Sequence, residues 1–66
     1  MNGLLVKKNS NSLVITGDST DLQELNRLIS TLIENNNKNN HIHIDDLTIL
    51  NNDSDFNEII IEKNDN

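Results

Sequence analysis

The sequence predicts an α+β domain in which a single helix packs on a small four-stranded, mainly antiparallel sheet, in the order β-β-α-β-β. Three observations carry that expectation. The segment "LQELNRLISTLI" places leucine and isoleucine at helical steps of three and four, whereas "HIHID" and "EIIIE" alternate apolar and polar residues at the strand period of two. The opening "GLLVKKNSNSLVITG" holds two short β-prone runs around a polar tripeptide, the pattern of a hairpin.

Taken in order, Leu4–Lys8 and Ser12–Thr16 are the first two strands, joined by a three-residue turn over Asn9, Ser10 and Asn11. Gly17 breaks the second strand. "DSTD" then offers Asp18, Ser19 or Thr20 as the helix cap, the last paired with Gln23 in a capping box. Leu22, Leu25, Leu28, Ile29, Leu32 and Ile33 share one stripe of the helix, and Gln23, Glu24, Arg27, Ser30 and Glu34 lie away from it. Asp18, Asp21 and Glu24 sit near the positive end of the helix dipole. The asparagine runs "ENNNKNN" (34–40) and "LNND" (50–53) separate periodic segments and read as loops, because asparagine tolerates left-handed backbone and closes local turns with its own side chain. "NHIHID" is the third strand and "NEIIIEK" the fourth. Between them "DDLTILNNDSDF" is a long connection in which Leu47, Ile49 and Phe56 are expected to close one end of the core.

A helix on one side of the sheet selects a core of Leu4, Val6, Leu13, Ile15, Leu22, Leu25, Leu28, Ile29, Leu32, Ile33, Ile42, Ile44, Ile59 and Ile61. The opposite sheet face then shows Leu5, Val14 and Ile60 among His41, His43, Asp45, Glu58 and Glu62, a mixed surface suited to meeting another protein. At 66 residues the chain is read as a single domain, residues 1–66, near the lower size at which one apolar core suffices. Its core is almost wholly leucine and isoleucine, with Phe56 the sole aromatic. Ordering the chain costs roughly 1.5 kcal/mol per residue, so the folded state is expected to win by only a few kcal/mol.

The formal charge of −6 and pI near 4.5 argue against nucleic acid as a ligand, since phosphate binding needs clustered cations and only Lys7, Lys8, Arg27, Lys38 and Lys63 are present. A basic protein would be attracted instead. No apolar run approaches the ~20 residues of a membrane span, and the lysines follow the first apolar run where a secretory signal has them before it. With no cysteine there is neither a disulfide framework nor a thiolate metal site. The expected location is the cytoplasm.

"HIHIDD" is the one concentration of chemistry-bearing side chains. Alternation puts His41, His43 and Asp45 in a row on one strand face, with the imidazoles roughly 7 Å apart from the ~3.3 Å rise per residue. Zinc wants three or four protein ligands, and here a third histidine and all cysteines are missing, leaving only carboxylates such as Glu58 or Glu62 to complete a set. No nucleophile–base–orienter arrangement and no glycine-rich phosphate loop is recognisable, the only glycines being Gly3 and Gly17. The expectation is therefore a protein with no catalytic residues, cofactor or metal.

The succession "LVITGD", a helix of type "LxxLxxLI", "HIHID" and, after a loop, "EIIIEK" resembles small bacterial immunity proteins of polymorphic toxin systems, in particular the immunity protein 32 family, over about Leu13 to Lys63. The resemblance implies a protein that binds and neutralises a cognate toxin through a complementary surface, and the acidic charge of the chain would suit a basic toxin. His41, His43 and Asp45 are the residues it transfers as recognition elements. Joined to the exposed face, they give a partner surface of His41, His43, Asp45, Glu58, Ile60 and Glu62. The alternative is a small homodimeric structural or regulatory module, pairing through the open sheet face or an edge strand.

Overall fold

The computed structural model describes residues 3–34 and 40–65. It is α+β, with elements β1 (Leu5–Asn9), β2 (Ser12–Thr16), α1 (Ser19–Glu34), β3 (His41–Asp45) and β4 (Glu58–Glu62) in that order. The four strands form two antiparallel hairpins, β1 with β2 and β3 with β4, rather than the single four-stranded sheet expected. Most of the asparagine run 34–40 lies outside the described residues.

The β1 edge of the first hairpin is not open to a further strand, because it is already taken. Peptide groups along a strand point alternately to its two edges, and those of Leu4, Val6 and Lys8 point away from β2. The Leu4 N–H donates to the Ile49 carbonyl, and the Leu4 carbonyl accepts from the Asn51 N–H at 2.8 Å, forming a short parallel bridge to Leu50. Two side chains continue this pairing where the loop backbone leaves the strand. Ser54 Oγ accepts from the Val6 N–H at 2.9 Å, the Asp55 carboxylate accepts from the Lys8 N–H at 2.7 Å, and the Asp55 N–H donates to the Val6 carbonyl at 2.8 Å. The Lys8 N–H, helped by the Lys7 ammonium 3.5 Å away, holds the Asp55 carboxyl below the ordinary carboxylate range. The long connection after β3 is thus the third member of the first sheet in all but regular geometry.

The β1–β2 turn is tighter than expected: Asn9 pairs with Ser12, leaving only Ser10 and Asn11 as the loop. Ser10 takes φ of 58°, the left-handed region that a side chain disfavours by roughly 1–2 kcal/mol, while glycine loses roughly 0.5–1 kcal/mol of chain entropy on folding. The difference favours glycine, so Ser10→Gly is expected to raise stability by about 0.5 kcal/mol. Thermal denaturation checks this, and a lowered midpoint would mean that the serine hydroxyl matters more than the backbone.

Helix α1 begins with a reciprocal cap. The Asp21 N–H donates to Asp18 Oδ1 at 2.9 Å and the Asp18 N–H to Asp21 Oδ2 at 3.3 Å, so of the three candidate caps Asp18 is used, with an aspartate in the third helical position. That Asp21 N–H is also the main reason the Asp18 carboxyl lies below its ordinary range. On the solvent side Arg27 grips Glu24 through two bonds of 2.8 and 2.6 Å, which lowers the glutamate and raises the arginine.

The core is smaller than the pattern predicted. Leu4, Val6, Leu32, Ile44 and Leu50 are buried, with Leu25, Leu28, Ile49, Ile59 and Ile61 packed against the cluster of Leu4, Val6, Ile44 and Leu50. Leu13, Ile15, Leu22 and Ile33 are exposed, as are Phe56 and, almost completely, Leu47. The reason is geometric: α1 lies on β3, and the cluster that buries Leu4 and Val6, made with Ile44, Leu50 and the flanking Leu25 and Leu28, does not include Leu13 and Ile15. The accessible surface is 5039 Å², above the ~4,200 Å² expected of a compact chain of this mass. No described helix is long and apolar enough to cross a membrane.

Candidate functional site

Strict alternation in two paired strands builds one continuous polar face. In the β3–β4 register His41 faces Glu62, His43 faces Ile60 and Asp45 faces Glu58, while Ile42 faces Ile61 and Ile44 faces Ile59 on the side turned to the core. All six residues expected to form the partner surface are therefore on the same side of this hairpin. Of these, His43, Glu58, Ile60 and Glu62 are exposed and His41 and Asp45 half-buried. Leu5 and Val14, expected beside them on one sheet, belong instead to the separate first hairpin.

The side chains are already organised. His43 Nδ1 lies 2.8 Å from Glu58 Oε2, a diagonal cross-strand bond, and the His41 and His43 rings meet edge to face at 4.9 Å between centroids. His41 Nδ1 also lies 3.4 Å from Asn40 Oδ1. Through its contact with Glu58, His43 joins the two strands and leaves Ile60, 49% exposed, as an apolar side chain framed by imidazole and carboxylates.

Asp45 has a different employment. Its Oδ1 accepts from the Leu47 N–H at 3.0 Å, its carbonyl accepts from the Thr48 and Leu50 N–H groups and from the Thr48 hydroxyl, and its own N–H donates to Thr48 Oγ1 at 2.9 Å. These bonds turn the chain out of β3 and send Ile49 and Leu50 toward Leu4. Asp45 is at the rim of the face and acts on the turn; the central part is His43, Glu58 and Ile60. Sequence reasoning grouped these residues by period and took the aspartates to stop the strand, without placing the bonds to Leu47, Thr48 and Leu50.

Among the described residues no three side chains of histidine, aspartate and glutamate converge so as to hold a metal ion. A groove of about 690 Å³ lies elsewhere, bounded by Gly3, Asp21, Asp46, Thr48 and the chain from Ile49 to Asp53. Among the described residues that bound it, the charged ones are Asp21, Asp46 and Asp53.

Comparison with protein families, with curated proteins and with solved structures finds no match for the chain.

Proposed function

We propose that the protein is a non-catalytic binding module that neutralises a cognate toxin by covering it with the outer face of the β3–β4 hairpin. The observation that carries this reading is Ile60: a large apolar side chain half-exposed at the middle of a strand, bordered by His43, Glu58 and Glu62 and lying opposite the core. An apolar centre with a polar, hydrogen-bonded rim is the anatomy of a protein interface. The rim is acidic and the whole chain carries −6, so the partner it suits is basic, drawn in by long-range attraction and held by apolar contact. The resemblance to immunity proteins supplies the class of partner, a bacterial toxin, and a setting in the cytoplasm of the producing cell.

The first check is whether the neighbouring gene encodes a toxin domain, whose absence would count against the reading; Ile60→Arg is then assayed for protection of cells expressing that domain. Since Ile60 faces away from the core, the variant is expected to melt within a few degrees of wild type while toxin affinity falls at least about 100-fold, the effect of losing a central apolar anchor and placing a cation against a basic partner. A folded Ile60→Arg protein that still protects would remove this face from consideration.

A further inference from the structure

We infer that β2 is a self-pairing edge, through which two copies of the chain join antiparallel about Val14 into one continuous sheet of order β1-β2-β2-β1. This surface is distinct from the β3–β4 face and does not depend on the function proposed for that face.

The first ground is that β2 is an open edge. It has a strand neighbour on one side only, and no residue from Ser12 to Thr16 is buried. Natural proteins protect such edges with charge, proline, bulges or covering segments. The chain does so elsewhere: the outer edge of β1 is capped by Ser54 and Asp55, and β4 carries Glu58 and Glu62 at its two ends. "SLVIT" carries none of these devices.

The second ground is the register. Because Leu4, Val6 and Lys8 direct their peptide groups to the loop, it is Leu5, Lys7 and Asn9 that bond to β2, through Thr16, Val14 and Ser12. The N–H and C=O groups of Leu13 and Ile15 consequently point to the open edge. Antiparallel pairing of two β2 strands about Val14 sets Leu13 against Ile15 of the second copy and Ile15 against its Leu13, both as hydrogen-bonded pairs. Val14 meets its own counterpart as the closer non-bonded pair, and Ser12 meets Thr16. Every residue of the strand finds a partner of its own kind, and the backbone groups left open by the fold are the ones this register uses. The same operation on β4 would place Glu58 against Glu62 twice, opposing like charges.

The third ground is charge. All eleven carboxylates lie outside residues 4–16, whose charges are Lys7 and Lys8, so β2 is a place where two copies of an acidic chain can meet without carboxylate repulsion. Lys7 and Lys8 sit one strand back on β1, which at about 4.8 Å per strand puts them roughly 14 Å from their counterparts, beyond the screening length of about 8–10 Å. Lys7 is further compensated by Asp55. On the Leu13 side a shallow groove also exposes Phe56, and the paired Ile15 of the second copy would be laid beside it.

One strand edge is a small interface, below the ~1,200 Å² of stable complexes, so the pair is expected to exchange. Sedimentation of the full chain is expected to show mostly dimer at about 1 mM and mostly monomer at about 10 µM. Val14→Glu faces Lys7 within its own hairpin, which favours folding, but sets two carboxylates against each other at the two-fold axis; association should fall at least about tenfold. Mixing Val14→Glu with Val14→Lys should restore it. In the wild-type chain, amide exchange at Leu13 and Ile15 should slow as concentration rises while that of Val14 does not change, an alternation that association through an apolar face would not produce. A wild-type monomer at about 1 mM, an undiminished Val14→Glu dimer, no gain on mixing, or exchange without that alternation would each overturn the proposal.

Discussion

Gly3→Ala is expected to abolish the cooperative melt or to lower its midpoint by at least about 15 °C. Gly3 has φ of 93°, and a Cβ built there would lie 2.4 Å from the Ile49 carbonyl oxygen and 3.0 Å from its carbon. A non-glycine residue in such a conformation costs about 1–3 kcal/mol by itself. The contact adds more, because the atoms it strikes are backbone and cannot rotate aside. They are also the acceptor of the Leu4 N–H, so relieving the clash pulls the loop off β1 and loosens the bridge that keeps Leu4 and Leu50 buried. A chain of this length is stabilised by about 3–10 kcal/mol in all, and each kcal/mol is worth about 4–8 °C in a domain this small. Gly17 makes a useful comparison: a Cβ there would lie 2.8 Å from Leu4 Cδ2 and 3.0 Å from Asp21 Cβ, less close than the 2.4 Å at Gly3, and its backbone is not left-handed, so Gly17→Ala should cost less. Circular dichroism melts of both variants check the ordering. A Gly3→Ala protein melting within about 5 °C of wild type would show that the loop does not approach β1 so closely.

What the sequence disclosed and what it hid divide along the range of the interactions involved. Ser12–Thr16 was legible to the residue, and the helix and the two later strands nearly so, because their signals are local: alternation and helical spacing; the capping box expected of Thr20 and Gln23 is instead made by Asp18 and Asp21. The polar face of β3 and β4 was legible for the same reason, since period two assigns His41, His43, Asp45, Glu58, Ile60 and Glu62 without knowledge of the fold. Period two does not say whether a face is covered. Leu13 and Ile15 share the face of Val6, yet Val6 is buried and they are not, because the cluster of Leu4, Ile44 and Leu50 around Val6 does not extend to β2. Leu50 lay unnoticed in a polar run without periodic neighbours, although its burial follows from the bridge to Leu4. The closing of the β1 edge turns on Ser54 and Asp55 bonding to strand residues 48 and 47 positions earlier, a relation with no trace in local pattern.

The same distinction can be read in a pair of substitutions that the bare pattern treats as equivalent. Ile44→Asp and Ile15→Asp each replace a strand isoleucine assigned by alternation to the core side. Ile44 is 2% exposed, inside the cluster of Leu4, Val6 and Leu50 and under α1, whereas Ile15 is 43% exposed on the uncovered half of its hairpin. A carboxylate at position 44 would have no described cation or donor within the cluster, and burying an unpaired charge costs more than the ~3–10 kcal/mol available. Protonation lessens this cost at low pH without restoring the lost packing. Ile44→Asp is therefore expected to be unfolded at neutral pH, with no cooperative transition and random-coil circular dichroism. At position 15 the carboxylate remains in water, and the loss is confined to strand propensity and partial contact, about 1 kcal/mol. Its melt should remain cooperative within about 8 °C of wild type when measured at about 10 µM, where self-pairing through β2 contributes little. Unfolding of both variants alike would mean that α1 or another segment covers β2 in solution and that the hairpin has an inner face after all. Survival of both would remove Ile44 from the centre of the core and, with it, the reason the polar residues of β3 and β4 face outward.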